Sequence, residues 1–170
     1  EDIAGYEFFT VVRDPFSRLV SCYEDKVMGR GKDQDRSILD LAFYKIVFFA
    51  FSGKWLKLGK TSFSEFAFMV SKVPDVLSDR HFRSQSTLFR ECQKKDINVR
   101  VIHLEELSEG WAWVEQKTGI PLNNRLNSTC RNSAIADYYS DSALKRRVLH
   151  RYKEDFQLLN YPVELQGERV

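Results

Sequence analysis

Cysteine is scarce in this chain: three in 170 residues, at Cys22, Cys92 and Cys130. An odd, widely spaced set excludes a disulfide framework and a zinc cluster. Three reduced thiols are expected, with one bridge plus a free thiol as the alternative. Histidine is equally sparse, and His81, His103 and His150 stand too far apart to offer metal-ligand spacing. Four prolines and eight glycines form no linker, and there are no repeats or low-complexity tracts. No apolar run reaches the roughly 18 residues needed to span a bilayer. The opening EDIAGYEF has neither the basic start nor the apolar core of a secretory signal. Charge of one sign is also missing, since 26 Lys and Arg against 24 Asp and Glu leave +2. So small an excess argues against a protein that coats polyanions such as nucleic acid, yet leaves room for one local anion site.

What is present suits one folded domain over residues 1–170. Hydrophobic residues make up 43% and charged ones 29%, a composition that buries a core. Residues 6–12 (YEFFTVV) are aromatic and β-branched and read as a buried strand. Asp14 and Pro15 suit the cap and first position of a helix over residues 16–28, which stops at Gly29. A very apolar helix is expected over 35–51, and Ser62 and Glu65 form a capping box for a third helix. Residues 80–90 show no clear period. Residues 99–104 (VRVIHL) are a second strand, and a helix over 108–117 stops at Gly119. Residues 122–133 read as a polar loop. The last helix, capped by Ser140 or Asp141, carries Leu144, Val148, Tyr152, Phe156 and Leu159 on one stripe. Lys145, Arg146, Arg147, Arg151 and Lys153 take its other faces, which are expected to be solvated. Strands joined through helices give an α/β fold with a parallel sheet.

The feature richest in chemistry is the strand–turn–helix that ends in RDPFSRLVSCYEDK. Arg13 stands at the carboxyl end of a strand, where open α/β sheets bind ligands, beside the positive end of the following helix. Ser21 follows eight residues later, about two helical turns on. A permanently charged planar fork and a hydroxyl donor together suit a phosphate dianion.

This segment resembles the 3′-phosphate-binding motif of carbohydrate sulfotransferases that use 3′-phosphoadenosine 5′-phosphosulfate (PAPS), Golgi-type enzymes and their bacterial relatives. Arg13, Asp14, Pro15, Phe16, Arg18, Leu19, Val20, Ser21 and Tyr23 match R-D-P-F-x-R-L-V-S-x-Y. Weaker echoes follow in order. Residues 79–85 (DRHFRSQ) resemble D-x-H-W-x-P-Q, with Phe82 for Trp and Ser84 for Pro. Residues 101–107 resemble a strand ending in an acidic-Leu step. Asn127, Ser128 and Thr129, then Tyr138, Tyr139, Val148, Tyr152, Asp155 and Tyr161, resemble the C-terminal signature.

The resemblance implies a P-loop-NTPase-like parallel sheet flanked by helices. Arg13 and Ser21 would bind the 3′-phosphate of PAPS and of its product PAP. A loop bearing Asn127, Thr129 and Arg131 would fold over the nucleotide; its formal glycosylation sequon overlaps that role. The family's 5′-phosphosulfate site, a strand–loop–helix with Lys before Ser/Thr, would precede Arg13 by several tens of residues. Lys54, Lys57 and Lys60 do not replace it, because they follow a helix rather than a strand, and they read as a solvated loop. The 170 residues are therefore expected to be the C-terminal part of a longer catalytic domain, lacking that N-terminal strand–loop–helix.

The implied reaction is sulfuryl transfer from PAPS, without a metal, to a hydroxyl of a carbohydrate. His81 is the candidate general base, its reference pKa lying near about 6.5; a structural or substrate-contacting histidine is the alternative. Arg80 and Arg83 are candidates for binding an anionic acceptor. His103 is expected to be a strand residue and His150 a surface one. No nucleic acid partner is implied, and membrane contact would come only through a segment not in this chain. The implied compartment is the cytoplasm for a bacterial enzyme and the Golgi lumen for a eukaryotic one. A competing reading is a non-catalytic nucleotide- or glycan-binding fragment or degenerate relative. A kinase on the same scaffold is disfavoured, because no G-x-x-x-x-G-K-[ST] occurs.

Overall fold

A computed structural model describes residues 5–29, 38–122 and 132–164. Asn127, Thr129, Arg131 and Cys130 lie outside the described residues. Strand β1 (Phe8–Val12) pairs in parallel with β2 (Val99–His103), in register from Phe8 opposite Val99 to Val12 opposite His103. These are the only two strands in the sheet among the described residues. The fold is thus α/β with a small parallel sheet, most of its mass being helical.

Helix α1 (Pro15–Cys22) starts where Asp14 accepts a 2.8 Å hydrogen bond from the Ser17 amide and Pro15 removes an N–H that would lack a partner. It continues into a π-helical turn (Tyr23–Val27) and ends before Gly29, whose φ of +72° favours glycine. Helices α2 (Ile38–Ser52) and α3 (Phe63–Lys72) follow, and α3 opens with the expected capping box, Ser62 and Glu65 reciprocally bonded. Helix α5 (Leu107–Thr118) packs on β2 at Gly110. A Cβ there would lie 2.3 Å from Ile102 Cγ2, so only glycine allows this approach. Gly119 ends α5 in the left-handed conformation.

Three elements differ from the sequence reading. Residues 80–90 are not irregular: α4 (Gln85–Lys94) begins there. Helix α6 (Asn132–Tyr138) begins inside the 122–133 span that reads as a polar loop. The last helix is two, α7 (Ser142–Arg151) and α8 (Lys153–Leu158), broken at Tyr152. Its stripe nevertheless holds, because Leu144, Val148, Tyr152, Phe156 and Leu159 are all buried.

Helix α1 is the centre of the core. Phe16 is fully buried, edge-on to Tyr139 at 4.9 Å and beside Phe156 at 5.2 Å. Tyr23 packs on Phe63 and Phe66, and Phe48 on Phe66 and Phe82. Aromatic burial on this scale makes each such ring worth about 3–5 kcal/mol against truncation to alanine. The consequence for the site is rigidity: the helix that follows Arg13 is clamped on several sides.

Candidate functional site

The β1–α1 junction is held by long-range hydrogen bonds. The Gln85 side chain grips the Arg13 peptide groups twice: its Oε1 accepts from the Arg13 N–H at 2.9 Å, and its Nε2 donates to the Arg13 carbonyl at 2.8 Å. The Asp14 N–H donates to Glu105 Oε1 at 2.8 Å, while Glu105 Oε2 accepts from the Tyr161 hydroxyl at 3.0 Å. Burial pushes the Asp14 carboxyl above its ordinary range, and the Glu105 charge adds to the rise despite the Ser17 hydrogen bonds. The Tyr161 phenol is likewise raised, first by burial and then by Glu105.

With its backbone pinned, the Arg13 side chain lies half-buried at the start of α1. Its Nε donates to Ser17 Oγ at 3.1 Å. Its two terminal nitrogens make no hydrogen bond among the described residues, and neither does the Ser21 hydroxyl. Arg13, Ser17 and Ser21 follow one another at four-residue steps, the spacing of one helix face. A charged fork with uncommitted donors beside a helix N-terminus suits an oxyanion such as phosphate.

Arg18 has a different role. Its Nη1 donates to the Arg83 carbonyl and its Nη2 to the Arg80 carbonyl, both at 2.7 Å. It therefore ties α1 to the turn at residues 79–83. Within that turn the Asp79 carboxylate accepts from the His81 N–H at 2.7 Å, from His81 Nδ1 and from the Tyr44 side chain. Burial would raise the Asp79 pKa, but these hydrogen bonds and the nearby imidazole hold it well below the usual carboxylate range. Asp79 thus fixes the ring through Nδ1 and leaves Nε2 as the second imidazole nitrogen of a half-exposed side chain.

The candidate acceptor arginines divide. The Arg83 guanidinium is committed to the Ser78 carbonyl, by Nε at 3.0 Å and Nη2 at 2.7 Å. The exposed Arg80 makes no ion pair among the described residues. Both line, with Arg18, a cavity of about 580 Å³ that runs along β1 beside α4. Arg13, Ser21 and His81 lie outside its lining.

Several residues that the sequence left without a role prove to hold the site. Asp155 is fully buried, and its two oxygens accept from the Gln85 and Ser86 N–H groups at 2.9 and 2.8 Å, capping α4. The Tyr152 hydroxyl donates to the Phe82 carbonyl at 2.7 Å, and Tyr139 to the Phe16 carbonyl at 3.1 Å. Arg151, expected on a solvated face, is turned inward. It pairs with Asp75, is 12% exposed, and donates to Ser84 Oγ at 3.2 Å. Sequence did flag Gln85, Tyr152 and Asp155 through the resemblance, but only as matching letters. His103 is a strand residue bonded to the Leu159 carbonyl at 2.9 Å, and His150 is exposed, both as expected. Cys22 is buried and its thiol pushed up to about 12 by burial, which removes it as a nucleophile. Cys22 and Cys92 are both free. Among the described residues, no three His, Cys, Asp or Glu are gathered as a metal ion would require.

The four segments singled out in the sequence therefore converge in their described residues, the 101–107 segment through Glu105 on Asp14. Arg13 is held by Gln85, Arg18 holds the 79–83 turn, and Asp155 and Tyr152 brace that turn and α4 from behind. Such an arrangement defines an α/β protein whose strand–helix junction carries an anchored arginine with the donor chemistry an oxyanion needs. A family model described as the sulfotransferase family matches residues 2–162. The chain belongs to the sulfotransferase family, which covers carbohydrate sulfotransferases. Neither the curated proteins nor the solved structures yielded a significant match.

Proposed function

We propose that this chain transfers a sulfuryl group from PAPS to a hydroxyl of a carbohydrate. The observation that carries the reading is the state of Arg13: backbone locked by Gln85, Nε on Ser17, and both terminal guanidinium nitrogens without a hydrogen bond among the described residues, at the carboxyl end of β1. Arg13 and Ser21 are the residues to hold the 3′-phosphate, and Asn127, Thr129 and Arg131 are proposed to cover the nucleotide. The donor, when bound, supplies the activated sulfuryl group and departs as PAP.

The protein's own contribution is positioning and charge. Arg13 neutralises phosphate charge in a partly desolvated site, where such pairs are stronger than in water. His81 is the base for the acceptor hydroxyl, and Asp79 holds its ring with Nδ1 occupied, so that Nε2 receives the proton. The imidazolium so formed is stabilised by the Asp79 carboxylate. Arg80 is the cation left to meet an anionic acceptor, whereas Arg83 acts through its backbone and its bond to Ser78.

One observation favours binding without turnover as a second reading: the cavity at Arg80 and Arg83 includes neither Arg13 nor His81 in its lining. An assay with labelled PAPS and a panel of neutral and anionic oligosaccharides separates the two. Label transfer supports the enzyme; PAP binding with no transfer supports the binding module.

A further inference from the structure

We infer a second, separate binding surface, an exosite for a sulfated or carboxylated polysaccharide, formed by Lys54, Lys57, Lys60, Lys72 and Arg147 around Trp55 and Phe68. Lys54, Lys57 and Lys60 are exposed, as a solvated loop would be, but they share one cavity of about 450 Å³ with Trp55. None of the residues lining it lines the cavity at Arg80 and Arg83.

Three cations meet at one ring. Lys54 Nζ and Lys72 Nζ each lie 5.5 Å from the centre of the Phe68 ring, and the Arg147 guanidinium carbon lies 5.2 Å from it. A ring offers two attractive faces, so three like charges around it repel one another unless an anion intervenes. The carboxylate lining the cavity is Glu65, 3.9 Å from Lys54, and its Oε2 is already engaged in the Ser62 capping box. Lys57, Lys60, Lys72 and Arg147 make no ion pair among the described residues. Three lysines against one carboxylate in the cavity lining, with Lys72 and Arg147 joining Lys54 at Phe68, is a local cationic excess in a chain whose net charge is only +2.

The aromatic partner is flat and open. Trp55 stacks on Phe49 with centroids 4.4 Å apart and planes at 17°, and it is still 52% exposed. Phe49 holds the indole in one orientation, which removes the entropy cost of fixing it on binding. The C–H face of a pyranose ring packs on such a surface while its sulfate or carboxylate groups meet the ammonium groups. The choice of polysaccharide over nucleic acid rests on the carbohydrate reading above; the surface itself requires no sulfuryl transfer.

The test is fluorescence anisotropy with a labelled heparin octasaccharide on the full chain at 0.1 M salt. Replacing Lys54, Lys57 and Lys60 together by Gln should weaken binding by about tenfold or more and flatten its salt dependence. Trp55→Ala should weaken it several-fold at both low and high salt. PAP affinity should be unchanged in both variants, so loss of nucleotide binding in the wild type would strike the sulfotransferase reading and not this one. If the triple variant fails to fold by circular dichroism, Lys57→Gln and Lys60→Gln are read singly, each expected to weaken binding. Wild-type affinity in the lysine variants, no octasaccharide binding by the wild type, or equal binding of a single-stranded DNA of the same charge would overturn the inference.

Discussion

Gln85 offers the sharpest test of how the site is built. Its amide makes two hydrogen bonds, at 2.9 and 2.8 Å, to the two backbone groups of Arg13 across 72 residues of sequence. Gln85→Leu keeps the bulk and removes both. Each neutral bond is worth about 0.5–1.5 kcal/mol net, and a partly buried backbone group left unmade costs up to about 3 kcal/mol. Water reaches a half-buried site in part, so the expected loss is about 1.5–3 kcal/mol. Gln85→Glu keeps an acceptor for the Arg13 N–H but points an oxygen at its carbonyl, so it should lose at least half as much. The cap of α4 is unaffected, because Asp155 binds the Gln85 backbone rather than its side chain. Urea unfolding of the three proteins gives the stability differences, and titration with PAP gives the affinity. Nucleotide binding should fall in the same order, since the guanidinium loses its anchored backbone. A Gln85→Leu protein as stable as wild type, within about 0.5 kcal/mol, with unchanged PAP affinity would refute the reasoning.

Asp155→Ala should destabilise by about 3–5 kcal/mol in the same unfolding assay, since two charge-assisted bonds, to the buried Ser86 N–H and the half-buried Gln85 N–H, are lost together. His81→Ala should leave PAP affinity intact and lower turnover; Asp79→Asn should lower kcat while leaving PAP affinity intact, because the carboxylate that holds the imidazole through Nδ1 is gone. Wild-type kcat in Asp79→Asn would dismiss Asp79 as its positioning partner. Asp14→Asn retains a cap acceptor for Ser17 and removes a carboxyl whose pKa is raised by burial and by Glu105. A raised acid disfavours folding once it ionises, a cost absent below the unfolded pKa of about 3.9 and fully present above the folded one. The variant should therefore be the more stable at pH 7, with the advantage shrinking as pH falls toward 4.

Locally coded features were legible. Asp14 with Pro15, Ser62 with Glu65, and Gly119 each act within one helical turn, and each appears where the residue types place it. The buried stripe from Leu144 to Leu159 was legible for the same reason, although the break at Tyr152 was not; the Tyr152 hydroxyl answers to Phe82, 70 residues earlier. Helix α4 was obscured because its N-terminus is capped by Asp155 from the far end of the chain rather than by a neighbour. Arg151 read as a surface cation because its partners, Asp75 and Ser84, are remote in sequence. At the site, Arg13, Ser21 and His81 were chosen by residue type and motif. Their tethers, Gln85, Glu105 and Asp79, became assignable only once the chain had folded back on itself. The parallel pairing of β1 with β2 was expected; no further strand joins them among the described residues.

Isothermal titration of PAP into the wild-type chain and its Arg13→Ala variant tests the central claim most directly. A guanidinium with uncommitted donors at the end of β1 predicts measurable binding by the wild type, weakened in the variant by about 2–4 kcal/mol as a charge-assisted contact to phosphate is lost. Equal affinity in the two proteins would contradict the assignment of Arg13 as the phosphate-binding residue.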